Sequence, residues 1–135
     1  MNSKLRSLGY EDYGISKKRY MELRAVCQQY LEREAALRYG AKGVSYNPAP
    51  SGSGTAGDPT AAAAAYNARL SAKNDKIRKA AAEASEGIPG LAAAILESVT
   101  EGIGYYDLVN VPPMNNKDFY GYRRYFYHLL DQLWR

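Results

Sequence analysis

The sequence predicts an all-α protein, and three observations support this fold class. Apolar residues recur at three- and four-residue steps between Ile15 and Arg38, which is the spacing of one helix face. The segment from Thr60 to Ser85 is rich in alanine, the residue with the highest intrinsic helix propensity. No stretch of the sequence shows the period-two alternation of a half-buried strand. We therefore expect a small helical bundle.

The first long helix is expected to run from Ser16 to about Arg38. Ser16 is a candidate N-cap because its hydroxyl can accept a hydrogen bond from an amide of the first turn. Gly40 and Gly43 are expected to end the helix. The apolar face of this helix is formed by Tyr20, Leu23, Cys27, Tyr30, Leu31 and Leu37.

Residues 46–60, with the sequence YNPAPSGSGTAGDPT, predict a flexible Gly/Pro/Ser-rich linker. It would join an N-terminal helical segment, 1–45, to a helical domain, 61–135. A long helix with a thin apolar side is expected to follow the linker and to end near Ser85. Its basic residues form either a solvated face or a set of phosphate contacts, and they are Arg69, Lys73, Lys76, Arg78 and Lys79.

The C-terminal region, about residues 91–135, predicts two short helices followed by a longer one. The short helices are expected at Leu91–Glu101 and Tyr105–Val109, and the longer one begins at Asn115. Pro112 and Pro113 prevent a helix between them, because neither offers an amide hydrogen. The acidic residues of this region are expected to serve solvation and helix electrostatics, and they are Glu97, Glu101 and Asp107.

Composition restricts the function classes. The net charge of +4 favours an acidic partner such as nucleic acid, and the 13 tyrosines suit cores and interfaces alike. No apolar stretch approaches the roughly 20 residues that cross a bilayer, and the N-terminus lacks the apolar segment of a secretory signal. We expect a cytoplasmic protein with no membrane partner.

Few residues of the sequence are suited to catalysis or to metal binding. The single cysteine, Cys27, excludes an internal disulfide, and its place on an apolar helix face predicts a buried residue. The single histidine, His128, has no evident nucleophile to activate. No phosphate-binding loop or nucleophile elbow is present. The sequence predicts no enzymatic activity, no cofactor and no metal.

The C-terminal helix divides into two faces when it is projected at 100° per residue. One face predicts a core stripe of Phe119, Tyr122, Phe126, Leu129, Leu130 and Leu133. The opposite face, which we call the outer face, contains Asn116, Lys117, Tyr120, Gly121, Arg124, Tyr127 and His128. A glycine within a helix costs about 1 kcal/mol relative to alanine, so Gly121 indicates close approach by another group. We expect the outer face to be open to solvent.

The outer face is suited to a DNA major groove. Lysine and arginine meet phosphates or guanine, asparagine pairs with adenine, and tyrosine hydroxyls reach phosphate oxygens. In a helix-turn-helix the first turns of the second helix make the base contacts. The predicted helix Tyr105–Val109 would precede that helix, supported by Leu91–Glu101. The candidate DNA-binding residues are Asn115, Asn116, Lys117, Tyr120, Gly121, Arg123, Arg124, Tyr127 and His128.

Part of the sequence resembles a known family. Residues 94–108 resemble the first half of a sigma-factor region-4 helix-turn-helix, in which an apolar helix ends in a Glu-Gly-apolar turn and a Tyr-acidic-acidic-apolar helix follows. Residues 114–124 resemble the half that contains the recognition helix. The Phe-Tyr-x-Tyr-Arg-Arg run and residues 13–20 are also similar to phage transcriptional regulators of the ArpU and RinA type. The resemblance covers about the last 45 residues, with a weaker echo in the first 30.

This resemblance implies a phage-encoded transcriptional regulator that binds duplex DNA sequence-specifically in the bacterial host cytoplasm. It assigns base- and phosphate-facing positions to Asn116, Lys117, Tyr120 and Arg124. The double proline departs from the family pattern and would widen the angle between the two helices. Contact with bacterial RNA polymerase and a homodimer stay open. The alternatives are a phage assembly or interaction protein that uses its tyrosine-rich surface and, third, a packaging component.

Overall fold

The structure, a computed structural model, describes residues 4–45 and 57–135, and the side chains of residues 4–38 and 61–135. The described residues form helices and no strand, which confirms the predicted fold class. The helices are α1 (Lys4–Ser7), α2 (Lys17–Gln28), α3 (Tyr30–Ser45), α4 (Gly57–Ala84), α5 (Leu91–Glu101) and α6 (Asn116–Leu133). Single turns of 3-10 helix lie at Glu11–Tyr13 and Tyr105–Asp107.

The chain divides into two compact units, and in the sequence the smaller unit is inserted between the two segments of the larger unit. Of the described residues, the larger unit combines 4–29 with 76–135, and the smaller unit combines 30–45 with 57–75. Residues 46–56 of the predicted linker lie outside the described residues, whereas its last four residues, 57–60, belong to α4.

The first long helix differs from its prediction at both its middle and its end. Ser16 is the expected N-cap, since its Oγ accepts a hydrogen bond from the Arg19 amide at 3.1 Å. The helix is interrupted at Gln29, where φ is −90° and ψ is 0°, although no glycine or proline signals a break there. α3 then continues through Gly40 and Gly43. The predicted end was wrong because a helix interior tolerates glycine at a cost of only about 1 kcal/mol.

The core of the larger unit lies between α2, α5, α6 and the end of α4. Among its fully buried side chains are Leu23 of α2, Ile77 of α4, Ile95 of α5 and Phe119 and Phe126 of α6. The core stripe of α6 is therefore confirmed over most of its length, although Leu129 and Leu133 are only half-buried. The bounds of α5 are those predicted from the sequence. A shared apolar core thus holds α6 in place.

The smaller unit has a polar connection between α3 and α4. The buried side chain of Arg33 donates a hydrogen bond from Nε to Asn74 Oδ1 at 2.6 Å. Asn74 in turn donates from Nδ2 to the Tyr30 carbonyl at 3.2 Å. Because every buried polar group needs a partner, this chain of bonds specifies how the two helices pair within the unit.

Candidate nucleic-acid interface

The first turn of α6 is exposed and capped. The Asn115 side chain accepts a hydrogen bond from the Asp118 amide at 2.9 Å, which confirms that α6 begins where the sequence predicted. Asn115 and Lys117 are exposed, and Asn116 is half-buried. Arg6 of α1 neutralises Asp118, with its Nη2 at 2.6 Å from the Asp118 Oδ1. This end of the helix therefore presents two amides and a cation to solvent.

The segment before α6 is not the helix that was predicted. Tyr105–Asp107 forms a single 3-10 turn, so the expected helix Tyr105–Val109 was wrong. The Tyr105 amide donates to the Tyr120 hydroxyl at 2.9 Å, and the Tyr105 hydroxyl donates to the Met114 carbonyl at 2.6 Å. These two bonds give partners to the first amide of the turn and to the Met114 carbonyl, neither of which a helix over 105–109 would have paired within itself. Tyr105 thus ties this turn directly to α6.

Glu97 of α5 also holds the loop that precedes α6. Its carboxylate accepts hydrogen bonds from the Val109 amide at 2.8 Å and the Asn110 amide at 3.4 Å. The sequence assigned this residue to solvation, whereas in the structure it positions the loop that leads to the α6 N-terminus. A local pattern could not have indicated this role, because the loop amides that need a partner are identified only by the fold.

The N-terminal segment covers the middle of the outer face. Gly121 is buried, and a Cβ atom there would lie 2.8 Å from the backbone carbon and oxygen of Leu5. Arg124 is half-buried and donates hydrogen bonds to the Leu8 carbonyl at 2.7 Å and the Arg6 carbonyl at 3.1 Å. The close approach that Gly121 indicated is therefore intramolecular, and the expectation of a fully open outer face was wrong.

The last candidates on the outer face lie within an aromatic cluster. Tyr127 is only 2% exposed and packs edge-on against Tyr20, with ring centroids 5.2 Å apart. Burial is the main cause that raises the pKa of Tyr127 above its ordinary value. The His128 ring stacks on Tyr13 at 4.6 Å between centroids. Its buried Nδ1 has no hydrogen-bond partner in the part of the chain that the structure describes. Neither residue forms a free surface for DNA.

Arg123 and Tyr120 form a pair on the flank of α6. The Arg123 guanidinium lies 4.5 Å from the centroid of the Tyr120 ring, a cation–π arrangement. Arg123 also donates a hydrogen bond from Nη1 to Ser98 Oγ at 3.0 Å. The structure thus separates the nine candidates into the first-turn residues Asn115, Asn116 and Lys117, which are exposed or half-buried, and six residues that lie against other parts of the chain.

Across residues 4–45 and 57–135, no group of three or more His, Cys, Asp or Glu side chains could hold a metal ion. Cys27 is fully buried, as its position on an apolar helix face predicted. None of the described helices has the length and apolar character needed to cross a membrane.

The chain has no match to any family model, curated protein or solved structure.

Proposed function

We propose that this protein binds duplex DNA by entering the major groove with the first turn of α6. The observation that carries the proposal is the exposure of Asn115 and Lys117 beside half-buried Asn116 while the following turns are covered. Recognition helices read bases mainly with their N-terminal residues, so the covered turns do not have to enter the groove. The resemblance to sigma region 4 and to ArpU- and RinA-type phage regulators supports transcriptional regulation.

The electrostatics of this end of α6 favour a polyanion. A helix N-terminus carries a partial positive charge, and amides of the first turn can meet a phosphate. Lys117 adds a full charge at the same place. Asp118 would oppose phosphate binding, but its pairing with Arg6 offsets that charge. Asn116 could then pair with adenine, which an asparagine amide can contact through two hydrogen bonds.

We expect Asn116→Ala and Lys117→Ala to weaken DNA binding in different ways. Selection from a random duplex pool supplies the probe, and fluorescence anisotropy measures its affinity across a salt series. Loss of a base-reading asparagine should cost about 1–3 kcal/mol and relax preference at one position. Loss of Lys117 should weaken binding to all DNA sequences alike. It should also reduce the slope of log affinity against log salt concentration by about one.

The control for these variants is Lys18→Ala. Lys18 is exposed and adjoins Arg19, which binds Asp131 in the last turn of the 18-residue helix α6. Asp131 lies about 20 Å along the helix axis from Lys117, so the segment that contains Lys18 contacts the opposite end of α6. Lys18→Ala removes the same charge and should leave affinity nearly unchanged. Absence of any enriched sequence, or equal losses for both lysines, would contradict the proposal.

A second candidate function rests on the loop before α6. Tyr106, Val109 and Val111 are 79%, 83% and 60% exposed, so three large apolar side chains lie in solvent within a few residues. Exposed apolar groups that lie close together are typical of protein interfaces. A contact with bacterial RNA polymerase at this loop would suit a regulator that binds DNA through the adjacent helix turn.

If the polymerase binds this loop, the double variant Val109→Ser and Val111→Ser should lose association with the polymerase and keep its affinity for DNA. Purified bacterial RNA polymerase, immobilised and challenged with the protein, measures the association directly. Val26→Ser, which alters a half-buried valine of α2, is the control for a general loss of apolar character. Retained binding by the double variant would refute the contact at this loop.

A further inference from the structure

A polar cleft of about 220 Å³ lies within the larger unit, between α2, the end of α5 and α6. The side chains that matter for its chemistry are Tyr20, Arg24, Gln28, Ser98, Arg123 and Tyr127. The cleft is smaller than the roughly 300–1,000 Å³ of pockets for drug-sized ligands. It has room for one small polar group and the few atoms bonded to that group.

The cleft is positively charged. Arg24 of α2 and Arg123 of α6 contribute two guanidinium groups, and no aspartate or glutamate lines it. Neither arginine forms an ion pair with a carboxylate of the described residues. Arg123 is half-buried, so its charge is partly removed from water without compensation from an anion of the chain. A bound anion would supply that compensation.

The turn that forms one wall is held in place by hydrogen bonds. Ser98 Oγ donates to the Ile103 carbonyl at 2.6 Å and accepts from Arg123 at 3.0 Å. The Gly102 and Ile103 amides both donate to the Ser98 carbonyl, at 2.9 and 3.1 Å. Gly102 has φ of +69°, and a Cβ atom there would lie 2.7 Å from Gln28 Nε2. This glycine therefore lets the Gln28 amide lie against the turn beside the cleft.

We propose that the cleft binds a phosphate group, as free phosphate or as a small phosphate monoester, between Arg24 and Arg123. The planar donor forks of arginine match the oxygens of a phosphate, and charge-assisted hydrogen bonds of this kind are the strong ones. Tyr20 and Gln28 supply neutral donors at the same cleft. A monoester fits better than a DNA diester, because the phosphate of a diester is bonded to two sugars and the cleft has room for one small group only.

This site is separate from the proposed DNA contact. The exposed turn Asn115–Lys117 contributes no residue to the cleft lining. An experiment can therefore refute phosphate binding at the cleft without refuting DNA binding by α6. It can equally refute DNA binding without refuting phosphate binding. A Lys117→Ala protein should bind phosphate with unchanged affinity.

Calorimetric titration of the full chain tests the proposal. Inorganic phosphate and glycerol phosphate should each bind saturably at one site, in a background of constant ionic strength. Arg24→Gln and Arg123→Gln should each weaken binding about tenfold or more, because each removes hydrogen bonds to a charged group. Lys18→Gln is the matched control, since it removes one charge from an exposed position of the same helix, and it should not change the affinity.

Two outcomes would overturn the site. The first is the absence of saturable binding of either phosphate compound. The second is an equal loss for Lys18→Gln and Arg24→Gln, which would indicate general charge attraction. Arg123→Lys covers the case in which Arg123→Gln does not fold, because it keeps the charge. It should still weaken phosphate binding, since it loses the planar donor fork. If a short DNA duplex competes with phosphate while glycerol phosphate does not bind, the group recognised is a DNA phosphate and the monoester assignment is wrong.

Discussion

Asp131→Ala is expected to lower the free energy of unfolding by about 2–3 kcal/mol. Asp131 is 3% exposed and accepts hydrogen bonds from Arg19 Nε at 2.6 Å and from Arg135 Nη2 at 2.9 Å. Removal of the carboxylate leaves the half-buried Arg19 guanidinium without its anion. Since Arg19 and the more exposed Arg135 keep some contact with water, the loss should be smaller than the roughly 3–5 kcal/mol found when a fully buried pair is broken.

The same carboxylate predicts a pH dependence. Burial by itself would raise the pKa of Asp131, but the hydrogen bonds from Arg19 and Arg135 outweigh it and hold the pKa below its ordinary value. A lowered native pKa adds stability above the unfolded-state pKa, near 3.9, and that stability is lost as the pH falls through the native value. The difference in the free energy of unfolding between the wild type and Asp131→Ala should therefore be largest near neutral pH and should shrink below about pH 4.

Chemical denaturation at several pH values measures both effects. Glu83→Ala is the matched control, because Glu83 is an exposed acidic residue of α4 in the same unit. It removes the same charge and should change stability by no more than about 0.5 kcal/mol. Equal effects of the two substitutions would show that the network around Asp131 contributes no more than net charge.

Gly121→Ala is expected to displace the N-terminal segment from α6. Alanine favours the helix by about 1 kcal/mol. However, the added Cβ would lie 2.8 Å from the Leu5 carbonyl carbon and 3.0 Å from the Arg6 amide, and backbone atoms cannot rotate away. Such overpacking typically costs about 1–3 kcal/mol. We expect α1 to undock, with a net destabilisation and faster trypsin cleavage after Arg6.

Controls separate undocking from a general effect of alanine. Gly9→Ala should be harmless, since its Cβ would meet only Asp12 Oδ2 at an ordinary 3.8 Å. Leu5→Ala removes a side chain that is 5% exposed and should release the same segment without altering α6. Its cost should approach the roughly 2–5 kcal/mol of buried leucine truncations. Unchanged cleavage after Arg6 in both Gly121→Ala and Leu5→Ala would contradict the docking of α1.

Gly121→Ala also distinguishes two ways of binding DNA. If the first turn of α6 enters the groove, uncovering Arg124 should bring no gain in affinity, and the loss of Arg6 from beside Asp118 should weaken binding slightly. If the whole outer face were the binding surface, the covering segment would have to leave first, and the variant would bind more tightly. The anisotropy assay with the selected duplex decides between these results, and the first-turn proposal predicts no gain.

The features predicted correctly are those that neighbouring residues specify. The Ser16 and Asn115 caps, the bounds of α5 and the core stripe around Phe119 and Phe126 follow from side chains within a few positions of one another. The break at Gln29 and the continuation of α3 through Gly40 were missed. There the local preferences are small enough for the rest of the chain to override them.

The candidate site was only partly predictable for the same reason. The composition of the outer face indicated an interface, but its partner over Gly121 and Arg124 is a segment more than a hundred residues earlier in the chain. Periodicity tells which side of a helix differs from the other and not what lies against it. The roles of Tyr105 and Glu97 depend on loop groups whose positions exist only in the folded chain.

From the amino-acid order alone come the helical class, the start of the final helix and the polar character of its first turn, because these depend on spacing and on caps. The tertiary structure decided that most of the tyrosine- and arginine-rich face is occupied by the N-terminal segment, that Asp131 is held between two arginines, and that Arg24 and Arg123 line the same cleft. The physical reason is that a contact between distant segments depends on how the whole core closes, and no local window of sequence contains that information.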